Sequence, residues 1–242
     1  MMNKLDSEKA ALDNQTLISF WDQAFSMTEE AQAKAKERGA DGWKSMAPSE
    51  KLFRAAASLG ARPRVLDYGC GSAWAGIIAA KSGCPEVMAV DVARGAVETA
   101  RFHSRLYGTE EKVRILHVDP DWLRTVPDNS FDGLICSNVL DVVPDETARG
   151  ILGEFARIAM PGAAVVIGLN YWLSPEEAAR REMVLEEGRS LYVDGVLRLV
   201  SRTDEEWTEL FSSLFEVENL EHFAWPGEKE ERRRLFRLRG RG

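Results

Sequence analysis

The sequence predicts an α/β fold: a mostly parallel sheet with helices on both faces, preceded by a helical cap. Three observations predict it. From residue 64 to residue 169, short apolar runs alternate with amphipathic segments, the pattern of strands joined by helical crossovers. The first run ends in Asp67 and a glycine turn, Gly69-Cys70-Gly71, and twenty residues after Gly71 the second run ends in Asp91. Ahead of them, Leu17, Phe20, Trp21, Ala24 and Phe25 fall on one face of a helix.

The elements follow in order. The first helix carries that apolar face, and a polar stretch from Glu29 to Gly42 reads as a connection. A second helix starts near Ser49 and ends at Gly60. Strands are expected near 64–68, 87–91, 113–118, 131–137 and 163–169, with helices near 73–82, 94–107 and 145–159. Leu191 to Leu199 reads as a hairpin, because Asp194-Gly195 suits a two-residue type I′ turn. Thr203-Asp-Glu-Glu206 has the form of a capping box opening a helix to about Leu214. Residues 215–223 and 232–239 read as two closing strands joined at Pro226-Gly227, the second with its arginines in solvent. The expected organisation is a cap over residues 1–45 and a core over 46–242, with a hairpin insertion near 190–200.

Composition narrows the partners. A chain of 242 residues fits one α/β domain. A net charge of −8 disfavours nucleic acid, whose binding draws on phosphate neutralisation. No apolar run reaches the ~18 residues of a membrane span, and the N-terminus lacks an apolar signal region, so no membrane partner and a cytoplasmic location are expected. Cys70, Cys84 and Cys136 are an odd count at unrelated spacings, which suggests neither a disulfide framework nor a metal site. His103, His117 and His222 show no metal-ligand spacing, so no metal is expected. Composition leaves the oligomeric state open.

The glycine turn and Asp91 carry the chemistry. Glycine lets a ligand lie against bare backbone, and a carboxylate at the tip of the neighbouring strand suits two ribose hydroxyls. A nucleoside-containing ligand follows. A dinucleotide site would want a small residue at the sixth position from Gly69, where Trp74 stands, and no phosphate loop of the Gly-x-x-x-x-Gly-Lys type occurs.

Val65-Leu-Asp-Tyr-Gly-Cys-Gly-Ser-Ala73 resembles the first motif of the class I S-adenosylmethionine-dependent methyltransferases. Val87 to Val92, Val118 to Leu123, Pro127 to Leu140 and Arg157 to Ile167 resemble their later motifs in order. The resemblance spans roughly residues 45–240. It implies a Rossmann-like, doubly wound seven-stranded sheet whose last strand is antiparallel, with S-adenosylmethionine as cofactor.

By the same resemblance, Asp67 helps hold the methionine amine, directly or through water, and Gly69, Cys70 and Gly71 offer backbone to the methionine part. Asp91 takes the ribose and Val92 packs on adenine. Asp119 matches the acceptor of the adenine amino group, but Pro120 lacks the N–H usually offered to the ring, which leaves Asp121 and Trp122 as substitutes. Ser137 and Asn138 face the methionine part. Ala73 stands where a third glycine is frequent, implying a slightly tighter site. Asp141, near the methyl group in related enzymes, reads as an exposed, helix-leading carboxylate or else a proton acceptor. Trp21, Asn170, Tyr171, Trp172 and Tyr192 are candidates for an acceptor pocket, with a core role as the rival reading.

No catalytic acid or base is assigned, since displacement at a sulfonium methyl needs mainly alignment and exclusion of water. The expected activity is methyl transfer to a small-molecule acceptor. A protein or RNA methyltransferase and a non-catalytic S-adenosylmethionine-binding sensor or scaffold are the alternatives. The acceptor atom is not legible, because it depends on loops without a motif.

Overall fold

The computed structural model describes residues 4–241. Its centre is a seven-stranded sheet built from β1 (Arg64–Tyr68), β2 (Glu86–Asp91), β3 (Val113–His117), β4 (Phe131–Ser137), β5 (Ala159–Leu169), β9 (Phe215–Phe223) and β10 (Arg233–Gly240). The strand order is β3-β2-β1-β4-β5-β10-β9. All neighbouring pairs from β3 to β5 are parallel, and β10 runs antiparallel to β5 and to β9. This is the expected sheet, closed by a last strand wedged in antiparallel.

Buried strands send alternate side chains to opposite layers. On β1, Leu66 and Tyr68 join a cluster with α6 (Asp145–Ile158) and α8 (Asp204–Ser212), while Val65 joins the opposite cluster. That second layer holds α3 (Glu50–Ser58), α4 (Trp74–Lys81) and α5 (Arg94–Tyr107). Strand order reverses between β1 and β4, the place where open α/β sheets bind ligands beyond the strands' carboxyl ends.

Helix caps fix the boundaries. Ser49 Oγ accepts from Leu52 N–H at the start of α3, and Thr203 and Glu206 form the predicted capping box of α8. The hairpin forms β7 (Ser190–Val193) and β8 (Val196–Val200), with Asp194 and Gly195 both at positive φ, as a type I′ turn requires.

Three regions differ from expectation. The polar stretch after the first helix, α1 (Lys4–Ala24), contains α2 (Glu29–Glu37), which Thr28 caps by accepting from Ala31 N–H. Its few apolar residues hide the periodicity that marks buried helices. A six-residue helix, α7 (Pro175–Arg180), and a strand, β6 (Val184–Glu186), precede the hairpin, making it a three-stranded sheet. On β10, Arg233 and Arg234 are buried rather than solvated. Arg233 pairs with Glu228, and Arg234 with Asp204 and the carbonyls of Asn170 and Arg202, so each burial is compensated. Among the described residues, no helix is long and apolar enough to cross a membrane.

Candidate active site

A cavity of about 300 Å³ opens at the switch point. Its floor is the glycine turn after β1, and the ends of β2 and β4 flank it. The turn is made by geometry only glycine adopts freely. Gly69 and Gly71 have φ of 63° and 53°. A Cβ on Gly69 would lie 2.3 Å from a Val139 methyl, and one on Gly71 would lie 2.9 Å from the Phe25 ring.

Asp91 stands on the cavity wall, 9% exposed, with its carboxylate turned to the glycine turn. It accepts from Gly71 N–H and from Ala93 N–H, both at 2.9 Å. These bonds are a structural reason for a strand-end carboxylate that the sequence did not disclose. Burial raises its pKa, and the same two N–H groups oppose that rise. Val92, Val118 and Pro120 line the adjoining wall. Ser137 and Asn138 close the β4 side, with Asn138 at a positive φ of 58°. The glycine cradle, the buried carboxylate and the apolar wall beside it fit a nucleoside with an extended tail.

Helix α1 roofs the cavity. Leu17, Ile18 and Trp21 face into it, followed by Phe25 just beyond the helix end, and Asn14 Nδ2 donates to Thr147 Oγ1 of α6 at 3.0 Å across it. Asp22 Oδ1 accepts from Gly95 N–H, serving the N-terminus of α5, whose own N-cap residue is Ala93. Thr99 donates to the Phe25 carbonyl. The roof is therefore tied to the helix that follows the Asp91 strand.

Asp67 lies under the first turns of α4 rather than on the cavity wall. Its Oδ2 accepts from Gly76 N–H at 2.8 Å, and full burial pushes its pKa to about 7. Asp119 and Asp121 are also off the wall. The Asp119 carbonyl accepts from Trp122 N–H, a turn that presents Pro120 to the cavity, and Asp121 pairs with Arg124 at the exposed surface. Cys70 lines the cavity as a buried thiol whose pKa burial raises well above its ordinary value.

Of the acceptor candidates, Trp21 alone reaches the cavity. Tyr192 is buried behind α1, packed on Leu17 and Trp21, and its hydroxyl donates to Asp13. The Asn170 side chain is consumed beneath the floor, accepting from Asn138 and Arg233. Tyr171 faces away, its ring under the guanidiniums of Arg181 and Arg232, and Trp172 is exposed beside it. Asp141 is neither exposed nor helix-leading. It is 0% exposed, its Oδ2 accepts from Asn170 N–H, and α6 begins four residues later. His103 and His117 bond to the carbonyls of Ser72 and Val92, and His222 to Asp204.

The sequence missed Asn14, Trp74, Thr147 and Trp225, which come to the cavity from α1, α4, α6 and the loop before β10. Only Trp225, an apolar side chain beside a Pro-Gly turn, carried a local signal.

A methyltransferase-domain profile matches residues 65–162, the span from β1 through β4 to the start of β5. This is a class I S-adenosylmethionine-dependent methyltransferase domain. Over 104 residues the chain is 35% identical to a ubiquinone biosynthesis O-methyltransferase of Xanthomonas axonopodis pv. citri, covering 43% of this chain and 41% of that protein. The chain thus spans about two fifths of the length of the curated relatives it matches. Solved structures share the fold. An S-adenosylmethionine-dependent methyltransferase from Mesorhizobium loti is 19% identical with a TM-score of 0.60, covering 81% of this chain and 99% of that one. The 1,6-didemethyltoxoflavin-N1-methyltransferase of Burkholderia thailandensis, with bound 1,6-didemethyltoxoflavin and S-adenosylhomocysteine, is 17% identical with a TM-score of 0.61, covering 87% and 85%. The domain's cofactor is S-adenosylmethionine.

Proposed function

We propose that the chain transfers a methyl group from S-adenosylmethionine to a small molecule held under α1. One observation carries this reading. A single cavity joins a glycine cradle and a buried strand-end carboxylate to an apolar roof supplied by a separate helix. In this reading Asp91 accepts from the ribose hydroxyls, and the Gly69-Cys70-Gly71 backbone with Ser137 and Asn138 holds the methionine part. Val92, Val118 and Pro120 enclose adenine. Asp67 acts at one remove, fixing the cradle to α4, and Asp119 is left without a contact. Trp21 belongs to the acceptor side.

When bound, the cofactor supplies a methyl group already activated by its sulfonium. The protein's task is alignment and exclusion of water, and orientation of this kind contributes ~7–11 kcal/mol to such reactions. The first 45 residues act as a cap on the core, with α1 as its working part. We place the chain in the cytoplasm, a reducing compartment in which the three buried thiols would stay free. The test is incubation with methyl-labelled cofactor and a small-molecule extract. Label should pass to a low-mass product, and transfer only to protein or RNA would reject the small-molecule reading.

A further inference from the structure

Apart from the residues proposed for the cofactor, the cavity lining has an unusual chemistry. It is mainly apolar and includes Leu17, Ile18, Val142, Val143 and Ile151, with the rings of Trp21 and Trp225. Besides Ser72 in the glycine turn and the Tyr68 hydroxyl, its polar side chains are Asn14 and Thr147, hydrogen-bonded to each other from two different helices. Among the described residues lining the cavity, Asp91 is the one carboxylate, and no Lys, Arg, His or Glu is present. Asp91 is held by two backbone donors beside the glycine turn, on the cofactor side. Tyr68 and Cys70 also line the cavity, but burial raises both pKa values and keeps them protonated.

We infer that the acceptor is a planar aromatic with no permanent charge, whose own acidic hydroxyl ionises without a protein base, oriented by the Asn14–Thr147 pair. This rests on the methyl-transfer reading above and gives it a substrate class. The apolar walls and indole rings favour a flat ring and penalise a permanently charged acceptor, since the wall offers a buried charge no partner; the charge of an ionised hydroxyl is met instead by the positive sulfonium of the cofactor. One polar pair suffices to orient a hydroxyl or a ring carbonyl. A weakly acidic alcohol would need its proton removed inside the cavity, and the wall has no group placed to do it. An acidic ring hydroxyl instead gives its proton to water before α1 closes over it. The oxygen lone pair then forms the O–CH₃ bond as the CH₃–S bond breaks, and that bond's electron pair goes to sulfur. A neutral methyl ether and a neutral thioether remain, so the closed cavity holds no net charge from the reaction.

The test uses the full chain and a panel of ring-substituted phenols with hydroxyl pKa from about 6 to about 10, the upper end being that of an unsubstituted phenol side chain. Binding of S-adenosylhomocysteine is measured first, and its absence strikes the underlying reading. With binding established, kcat/KM is followed against pH for each phenol. The rising limb should move with the acceptor's own pKa, nearly one for one, and a limb fixed at one pH for every acceptor would reveal a protein base and overturn the inference. A second readout needs no turnover: quenching of tryptophan fluorescence in protein loaded with S-adenosylhomocysteine, as a phenol is added. Asn14→Leu and Thr147→Val should each weaken phenol binding about tenfold while cofactor affinity is unchanged. Loaded protein that neither binds nor methylates any phenol in the panel also overturns the acceptor class.

Discussion

Replacing Asp91 by alanine separates two tasks, one structural and one proposed. In the free protein its carboxylate accepts from Gly71 N–H and Ala93 N–H, tying the glycine turn to the entry of α5. Hydrogen bonds to charged groups contribute ~1.5–3 kcal/mol each, but burial of this carboxylate offsets part of the two. A net loss of ~1–3 kcal/mol of stability is therefore expected, lowering the melting midpoint by ~2–4 °C per kcal/mol in a chain of this size. With cofactor, the variant also loses an ionised acceptor for two ribose hydroxyls. Losing ~1.5–3 kcal/mol weakens binding roughly tenfold to 150-fold. Calorimetric titration with S-adenosylhomocysteine, run well below both melting midpoints, reads the second effect apart from the first. A lowered melting midpoint with unchanged affinity would mean that Asp91 only braces the turn, and the ribose assignment would fall.

Three further outcomes are expected. Ala73 is buried at φ 56° and ψ 28°, a conformation costing an L-residue ~1–2 kcal/mol, so Ala73→Gly should raise the melting midpoint by ~1–4 °C even after glycine's extra unfolded-state entropy; a fall would show that the methyl group's packing outweighs the strain. Asp67 has its pKa raised to about 7 in the folded chain against ~3.9 unfolded, so the native state holds the extra proton between those values and stability must fall as pH rises through that window. Asp67→Asn should remove that fall, on the order of 4 kcal/mol, in denaturant titrations from pH 4 to pH 8, and parallel curves for variant and parent would contradict it. Deleting residues 1–26 removes the roof and the Asp22 bond to α5, so cofactor binding should survive, weaker, while methyl transfer per folded molecule drops far more; equal specific activity would reject α1 as a lid.

Periodicity located nearly all of the sheet because buried parallel strands are short apolar runs with sharp ends, and β1 through β4 sit within a residue of expectation. The glycine turn and Asp91 could be placed side by side for the same reason, since each sits at a strand end. The residues expected around an acceptor could not. Whether Trp21 or Tyr192 enters the cavity depends on how α1 lies across the hairpin, and both share one apolar cluster, so each looks equally apolar in sequence. Asn170 and Asp141 sit at the sheet edge where ligands bind, yet β10 passes beside them and its buried Arg233 and Arg234 claim their neighbourhood. The α2 helix was hidden because most of its surface is polar.

The central claim is that the cavity beneath α1 holds the cofactor against the glycine turn. Titration of the full chain with S-adenosylhomocysteine, beside Gly69→Val as control, tests it most directly. The parent should bind one molecule per chain with micromolar or tighter affinity, an interaction of about −8 kcal/mol or stronger. The variant should lose most of that affinity, because a side chain at this left-handed position meets Val139 and fills the cradle. No binding by a cooperatively folded parent, or equal binding by both proteins, would contradict the account.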